Sequence, residues 1–125
     1  MDRNEDSQVL KKSYDFAVHV IKTYQNLSKE QREFVLSKQL LRSGTSIGAN
    51  INEALAGESK RDFVHKLHIS LKESRETTYW LRLLRDSDYL SEDEFMSLNS
   101  TFVSIGKMLS KIIITTKEPY LQKVS

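Results

Sequence analysis

Residues 43–84 read SGTSIGANINEALAGESKRDFVHKLHISLKESRETTYWLRLL, and the fold turns on this stretch. Its second half places Phe63, Leu67, Ser70, Ser74, Thr77, Leu81 and Leu84 at alternating steps of four and three, the spacing that lines one face of a helix. A helix from Lys60 to about Arg85 is expected. The middle of its seam consists of small residues, so a neighbouring helix can come close. Ser59-Lys-Arg-Asp62 supplies a capping box for its start. Gly57 is placed to end the preceding helix in the left-handed conformation that glycine adopts cheaply.

Working outward, that preceding helix is expected to open on a second capping box, Ser28-Lys-Glu-Gln31, and to run to about Ala56. Phe34, Leu40, Leu41, Ile47, Ile51 and Leu55 would point inward. Ser43-Gly-Thr-Ser-Ile-Gly48 propagates a helix poorly, since glycine costs about 1 kcal/mol against alanine in a helix interior. A kink or break is expected there, with the small-xxx-small spacing of Gly44 and Gly48 suited to close helix packing. Near the N-terminus, Leu10, Tyr14, Ala17, Ile21 and Tyr24 repeat on one face of a helix spanning Val9 to Leu27, flanked by Val9, Phe16 and Val20. Ser91-Glu-Asp-Glu94 opens the last helix, whose seam is Phe95, Leu98, Phe102, Ile105, Leu109 and Ile112, and Pro119 marks its end. The expected fold is all-α: an up-and-down antiparallel four-helix bundle, one domain over 1–125 with polar tails at 1–7 and 119–125.

The composition agrees. A chain of 125 residues with 29% charged and 38% hydrophobic residues, four glycines and one proline is sized for a single helical core. The N-terminal MDRNEDSQ lacks the basic and then apolar order of a secretory signal, and no apolar run is long enough to span a membrane. With no cysteine, disulfides and thiolate chemistry are excluded, and a cytoplasmic location is expected. The formal net charge of +2 neither demands nor excludes nucleic acid; the clustering of Lys and Arg decides.

No arrangement of residues assembles catalytic chemistry, so no enzyme activity and no cofactor are expected. Asp62, His65 and His68 share a helix face, but a di-iron bundle needs two Glu-x-x-His motifs plus two more glutamates; a solvated face is the weightier reading and no metal is expected. Glu73 and Glu76 could serve acid–base work, but Lys72 with Glu76, and Arg75 and Lys66 nearby, read as an ordinary mixed-charge face. Gly44 to Gly48 lacks the lysine and the preceding strand of a phosphate loop. Lys60, Arg61, Lys66, Lys72 and Arg75, with Arg42 and Arg82 beside them, make the third helix modestly basic, although Glu58, Asp62, Glu73 and Glu76 interleave. On residues alone, a solvated face weighs somewhat more than a phosphate-binding one. Residues 79–84 are apolar almost all round the helix, which fits either self-association through Tyr79, Trp80 and Leu83 or a tightly packed core.

Ser-Ile-Gly-Ala-Asn-Ile at 46–51, Glu53, Ala54, Ser59-Lys-Arg-Asp-Phe63, Leu71-Lys-Glu-Ser-Arg-Glu76 and Thr78-Tyr-Trp-Leu81 together resemble the bacterial four-helix-bundle family of the 23S ribosomal RNA intervening sequence, also called the S23 family. Leu90-Ser-Glu-Asp-Glu-Phe95 and Ile105-Gly-Lys-Met-Leu109 extend the likeness over nearly the whole chain. The resemblance implies a homo-oligomer, as homopentameric rings occur among characterised relatives. A distant relative, the accessory protein of diversity-generating retroelements, is a basic ring that binds nucleic acid. Two expectations follow. One is binding of RNA or DNA through Arg42, Lys60, Arg61, Lys66, Lys72 and Arg75; the other is an interaction scaffold for an unknown protein partner.

Overall fold

A computed structural model describes residues 3–57 and 59–124, with side chains described for 4–57 and 59–116; Met1, Asp2, Glu58 and Ser125 lie outside. Four helices follow one another: α1 (Arg3–Lys29), α2 (Leu36–Leu55), α3 (Lys60–Asp86) and α4 (Glu92–Val124). Each packs against its sequence neighbour, and α4 closes the bundle against α1. No strand occurs among the described residues.

The third helix is as the seam predicts. Phe63, Leu67, Ser70, Ser74, Thr77, Leu81 and Leu84 are its buried residues. The small residues at its centre face α2, where the Ser70 hydroxyl donates to the Ile47 carbonyl at 2.8 Å and Thr77 Oγ1 donates to Ser43 Oγ at 3.0 Å. Buried hydroxyls are thereby satisfied between helices, which fixes their register as well as their distance. Ser59 Oγ accepts from the Asp62 amide at 3.1 Å at the start of α3. The box at α4 is complete: Ser91 Oγ accepts from the Glu94 amide at 3.1 Å and Glu94 Oε1 from the Ser91 amide at 3.0 Å. Along α4, Phe95, Leu98, Ile105, Leu109 and Ile112 are buried as expected, with Phe102 partly buried against them.

Several expectations need correction. Ser28 caps no helix; α1 continues through it, with its hydroxyl donating back to the Tyr24 carbonyl at 2.9 Å, and Gln31 instead donates to the Tyr89 carbonyl at 2.8 Å. The second helix starts at Leu36, after a turn at Arg32 with φ 55°, and Glu33 caps it: Oε1 accepts from the amides of Val35 and Leu36 at 3.0 and 2.9 Å, Oε2 from that of Ser37 at 2.7 Å. The two oxygens of one carboxylate take three amides here, where a serine at an N-cap usually takes one. Phe34 is consequently outside the helix and exposed, and Leu55, the last residue of α2, is exposed too, while Leu40, Ile47 and Ile51 are fully buried.

The break expected at 43–48 does not occur; α2 is one helix through that segment. Its glycines are contact points with α1. A Cβ on Gly44 would stand 3.0 Å from both Val20 methyls, and one on Gly48 3.1 Å from Ser13 Oγ. Gly57 does not adopt a positive φ. Ala56 caps α2 with φ −91° and ψ −1°, and the Gly57 amide bonds back to the Ala54 carbonyl at 3.1 Å. A Cβ on Gly57 would stand 3.0 Å from that same oxygen, so close approach explains the glycine where left-handed backbone does not.

The inward face of α1 lies one position away from the expected repeat. Val9, Ser13, Phe16, Val20 and Leu27 are buried, whereas Tyr14 is 68% and Ile21 40% exposed. Finally, helix extends into both expected tails. At the start, Glu5 and Asp6 sit in the first turn of α1, where the helix dipole favours acids, and Glu5 pairs with Lys111 of α4 at 2.6 Å. At the end, α4 runs past Pro119 to Val124. Proline removes one helical hydrogen bond and crowds one carbonyl, a local penalty that its helix-compatible φ does not turn into a stop.

Candidate nucleic-acid interface

The basic residues singled out by sequence separate into two sets. Arg42 projects from the second turn of α2 towards α3, where Nη1 meets Glu73 Oε2 at 3.3 Å and Nη2 is hydrogen bonded to Glu76 Oε1. Trp80 Nε1 also approaches Glu76 Oε1, at 3.4 Å. The hydrogen bond from Arg42 holds the Glu76 carboxyl below its ordinary range, against the opposing push of burial. The reverse effect raises Arg42, again led by the bond to Glu76. Glu76 therefore pairs across helices with Arg42, not with Lys72 one turn away on its own helix. Lys66 is the second member of this set, bonded to Glu53 of α2 at 2.9 Å.

Lys60, Arg61, Lys72 and Arg75 form the other set. All four are exposed on α3, and among the described residues none has an ion-pair partner. The two sets point differently because α3 has two polar faces. Positions 66, 73 and 76 flank the seam on the α2 side, whereas 61, 72 and 75 lie opposite the seam. Heptad spacing carried that distinction, but without α2 in place nothing identified which flank its arginine would reach.

Asp62, His65 and His68 are exposed on α3. Among the described residues, no group of three or more His, Cys, Asp or Glu side chains is placed to hold a metal ion. No described helix is long and apolar enough to cross a membrane.

Of the expected self-contact residues, Tyr79 is 57% exposed while Trp80 and Leu83 are half-buried. The Tyr79 and Trp80 rings meet edge to face at 5.1 Å between centroids. A larger apolar surface went unassigned by sequence reasoning. Leu10, Tyr14 and Ala17 of α1 line a groove of about 640 Å³ with Thr45, Gly48, Ala49 and Asn52 of α2. The glycines that draw the two helices together leave this hollow on the outer side of their contact. The repeat Leu10, Tyr14, Ala17, Ile21 was visible in the sequence; its exposure was not, because Ser13 was not recognised as a core residue.

A model of the family described as 23S rRNA-intervening sequence protein matches residues 5–111. Among solved structures, the chain is similar to a protein of unknown function from the S23 ribosomal protein family of Bacteroides thetaiotaomicron. The two are 50% identical, with 87% of this chain and 97% of that chain covered and a TM-score of 0.86. Comparison with curated proteins finds no match.

Proposed function

This chain belongs to the 23S rRNA-intervening sequence protein family, and from that premise we propose that it is a non-enzymatic, ring-forming accessory protein that binds nucleic acid in the cytoplasm. The observation that carries the reading is the fate of the acids on α3. Arg42 draws Glu73 and Glu76 to the α2 side, which leaves Lys60, Arg61, Lys72 and Arg75 exposed and unpaired among the described residues. Cations held away from carboxylates are available to phosphate, and phosphate contact supplies most of the affinity in sequence-independent binding. Repetition of the same residues around a ring axis strengthens the field beyond what a net charge of +2 would give one subunit.

The exposed apolar side chains of α1 support assembly, since Tyr14 and Ile21 at 68% and 40% exposure gain burial only from another molecule. The groove beside them also favours a second reading, a scaffold that docks a protein partner without nucleic acid. Two measurements separate the readings. Light scattering at micromolar concentration is expected to give a mass several times 14.5 kDa. Fluorescence anisotropy at about 50 mM salt, where phosphate contacts are strong, is expected to show binding of labelled oligonucleotides. A 14.5 kDa species throughout would remove the ring, and an assembled protein that binds no oligonucleotide would leave the scaffold.

A further inference from the structure

The side of α3 opposite its buried seam carries Arg61, His65, His68, Lys72, Arg75, Tyr79 and Arg82, at alternating steps of four and three, and every one of them is exposed. The repeat shadows the core seam one helix diameter away. It contains no acid: Asp62, Glu73 and Glu76 stand off it, and Asp86 closes it while bonded to Arg85 at 2.9 Å. Arg61, Lys72, Arg75 and Arg82 have no ion-pair partner among the described residues. At 1.5 Å per residue, the stripe is about 32 Å long.

We propose that this stripe binds a single nucleic-acid strand, its cations following the backbone and the Tyr79 ring stacking on a base. The inference rests on the nucleic-acid reading above and adds both the site and the class of ligand. Three features favour a single strand over a duplex. First, α3 packs between α2 and α4. Neighbours on both sides crowd its approach to a major groove about 12 Å wide, which a helix of about 10–12 Å already fills.

Second, the stripe is one side chain wide and its flanks cannot hold a second phosphate chain. Towards α2 lie Glu73 and Glu76, and on the other side the half-buried Val64, Leu71 and Thr78. Third, the cations are interleaved with flat rings, His65 and His68 between Arg61 and Lys72 and Tyr79 between Arg75 and Arg82. Tyr79 is 57% exposed, and its edge contact with Trp80 holds it while leaving ring surface to solvent. Cationic tracks interleaved with exposed rings are the usual means of gripping unpaired strands, because every base presents a π-face. The site therefore differs from the set picked out by sequence: Arg42, Lys60 and Lys66 leave it, and Arg82, Tyr79 and the two histidines join it.

The test is anisotropy of the full chain with labelled single-stranded RNA, single-stranded DNA and duplex DNA of about 20 nucleotides, across a salt series. Wild type is expected to bind both single strands at least about 10-fold more tightly than the duplex, since stacking needs an unpaired base. Tyr79→Ala is expected to weaken single-strand binding about 10-fold while Tyr79→Phe retains it. Lys72→Ala with Arg75→Ala is expected to reduce the slope of log affinity against log salt by about 1.4, at about 0.7 for each phosphate contact. Lys66→Ala, which leaves the Arg42 pairs with Glu73 and Glu76 intact, is expected to leave single-strand binding unchanged.

All these positions lie on the surface, and circular dichroism checks that each variant is folded. Duplex binding equal to or tighter than single-strand binding overturns the inference while the nucleic-acid reading stands. The inference is equally overturned if Lys66 matters and the Lys72 and Arg75 pair does not. Wild type that binds none of the three probes removes both.

Discussion

Gly44→Leu is expected to destabilise the fold by about 3 kcal/mol or more, at the upper end of what overpacking a close contact costs. A bare Cβ at this position already meets Val20 Cγ1 and Cγ2 at 3.0 Å. Leucine adds three further carbons at a point where α2 and α1 have no room to part without dragging Gly48 off Ser13, itself a 3.1 Å approach for a Cβ. Neither neighbour yields easily: Val20 is fully buried, and its branched side chain has one strongly preferred rotamer in a helix. Gly44→Ala is expected to lose far less, because its helix-propensity gain of about 1 kcal/mol offsets part of the clash. Gly106 provides the control, since a Cβ there meets nothing within 4 Å. Gly106→Ala is expected to be neutral or stabilising by up to about 1 kcal/mol. Urea unfolding of the three variants checks the ranking; a Gly44→Leu midpoint close to wild type would mean that α1 and α2 do not meet there.

The same glycines show what the sequence can and cannot convey about the fold. Their spacing identified close packing, but propensity alone suggested a break, because propensity counts what glycine loses as an isolated helix residue and omits what the α1 contact returns. Packing decided the outcome. On α3 the two kinds of information coincided. Its seam holds both large apolar and small hydroxylated residues at one spacing, and all seven proved buried. On α1 they diverged: the apolar repeat Leu10, Tyr14, Ala17, Ile21 is the more regular in sequence, and Val9, Phe16 and Val20 beside it look like its flank because the true inward set is interrupted by Ser13, whose hydroxyl is satisfied within its own helix by the Leu10 carbonyl at 2.8 Å. A buried serine bonded to its own backbone is indistinguishable in sequence from a solvated one.

The candidate interface was legible to a similar degree. Helical spacing identifies which residues of α3 share a face, so Arg61, Lys72 and Arg75 could be grouped from sequence. Pairing across helices could not be read in the same way. Arg42 belongs to α2, 31 residues before Glu73 and 34 before Glu76, and its ion pairs depend on how the two helices are registered. That register is fixed by the buried bonds Ser70 to Ile47 and Thr77 to Ser43. Small polar residues in the core thus determine which cations on the surface remain available.

Glu33→Ala is expected to destabilise the protein by about 2–3 kcal/mol at neutral pH, the second largest effect, although nothing about Glu33 resembles a usual helix cap. Its carboxylate accepts the amides of Val35, Leu36 and Ser37, three of the donors that the start of α2 leaves without helical partners. The group is nearly buried, at 9% exposure, so water does not readily replace it once it is removed. Burial alone would raise the Glu33 carboxyl, but the amides of Leu36, Ser37 and Val35 together outweigh it and hold the group below its ordinary range. A carboxyl lowered by folding contributes stability above its unfolded pKa, roughly 4, and that contribution fades as the pH falls through the lower folded value. The difference between wild type and Glu33→Ala should therefore be full at pH 7 and shrink below about pH 4, even as both proteins weaken from protonation elsewhere. Urea titrations of the two proteins at pH 7 and pH 3 measure that difference directly. A gap that is small at pH 7, or that widens in acid, would mean that α2 does not depend on this carboxylate for its start.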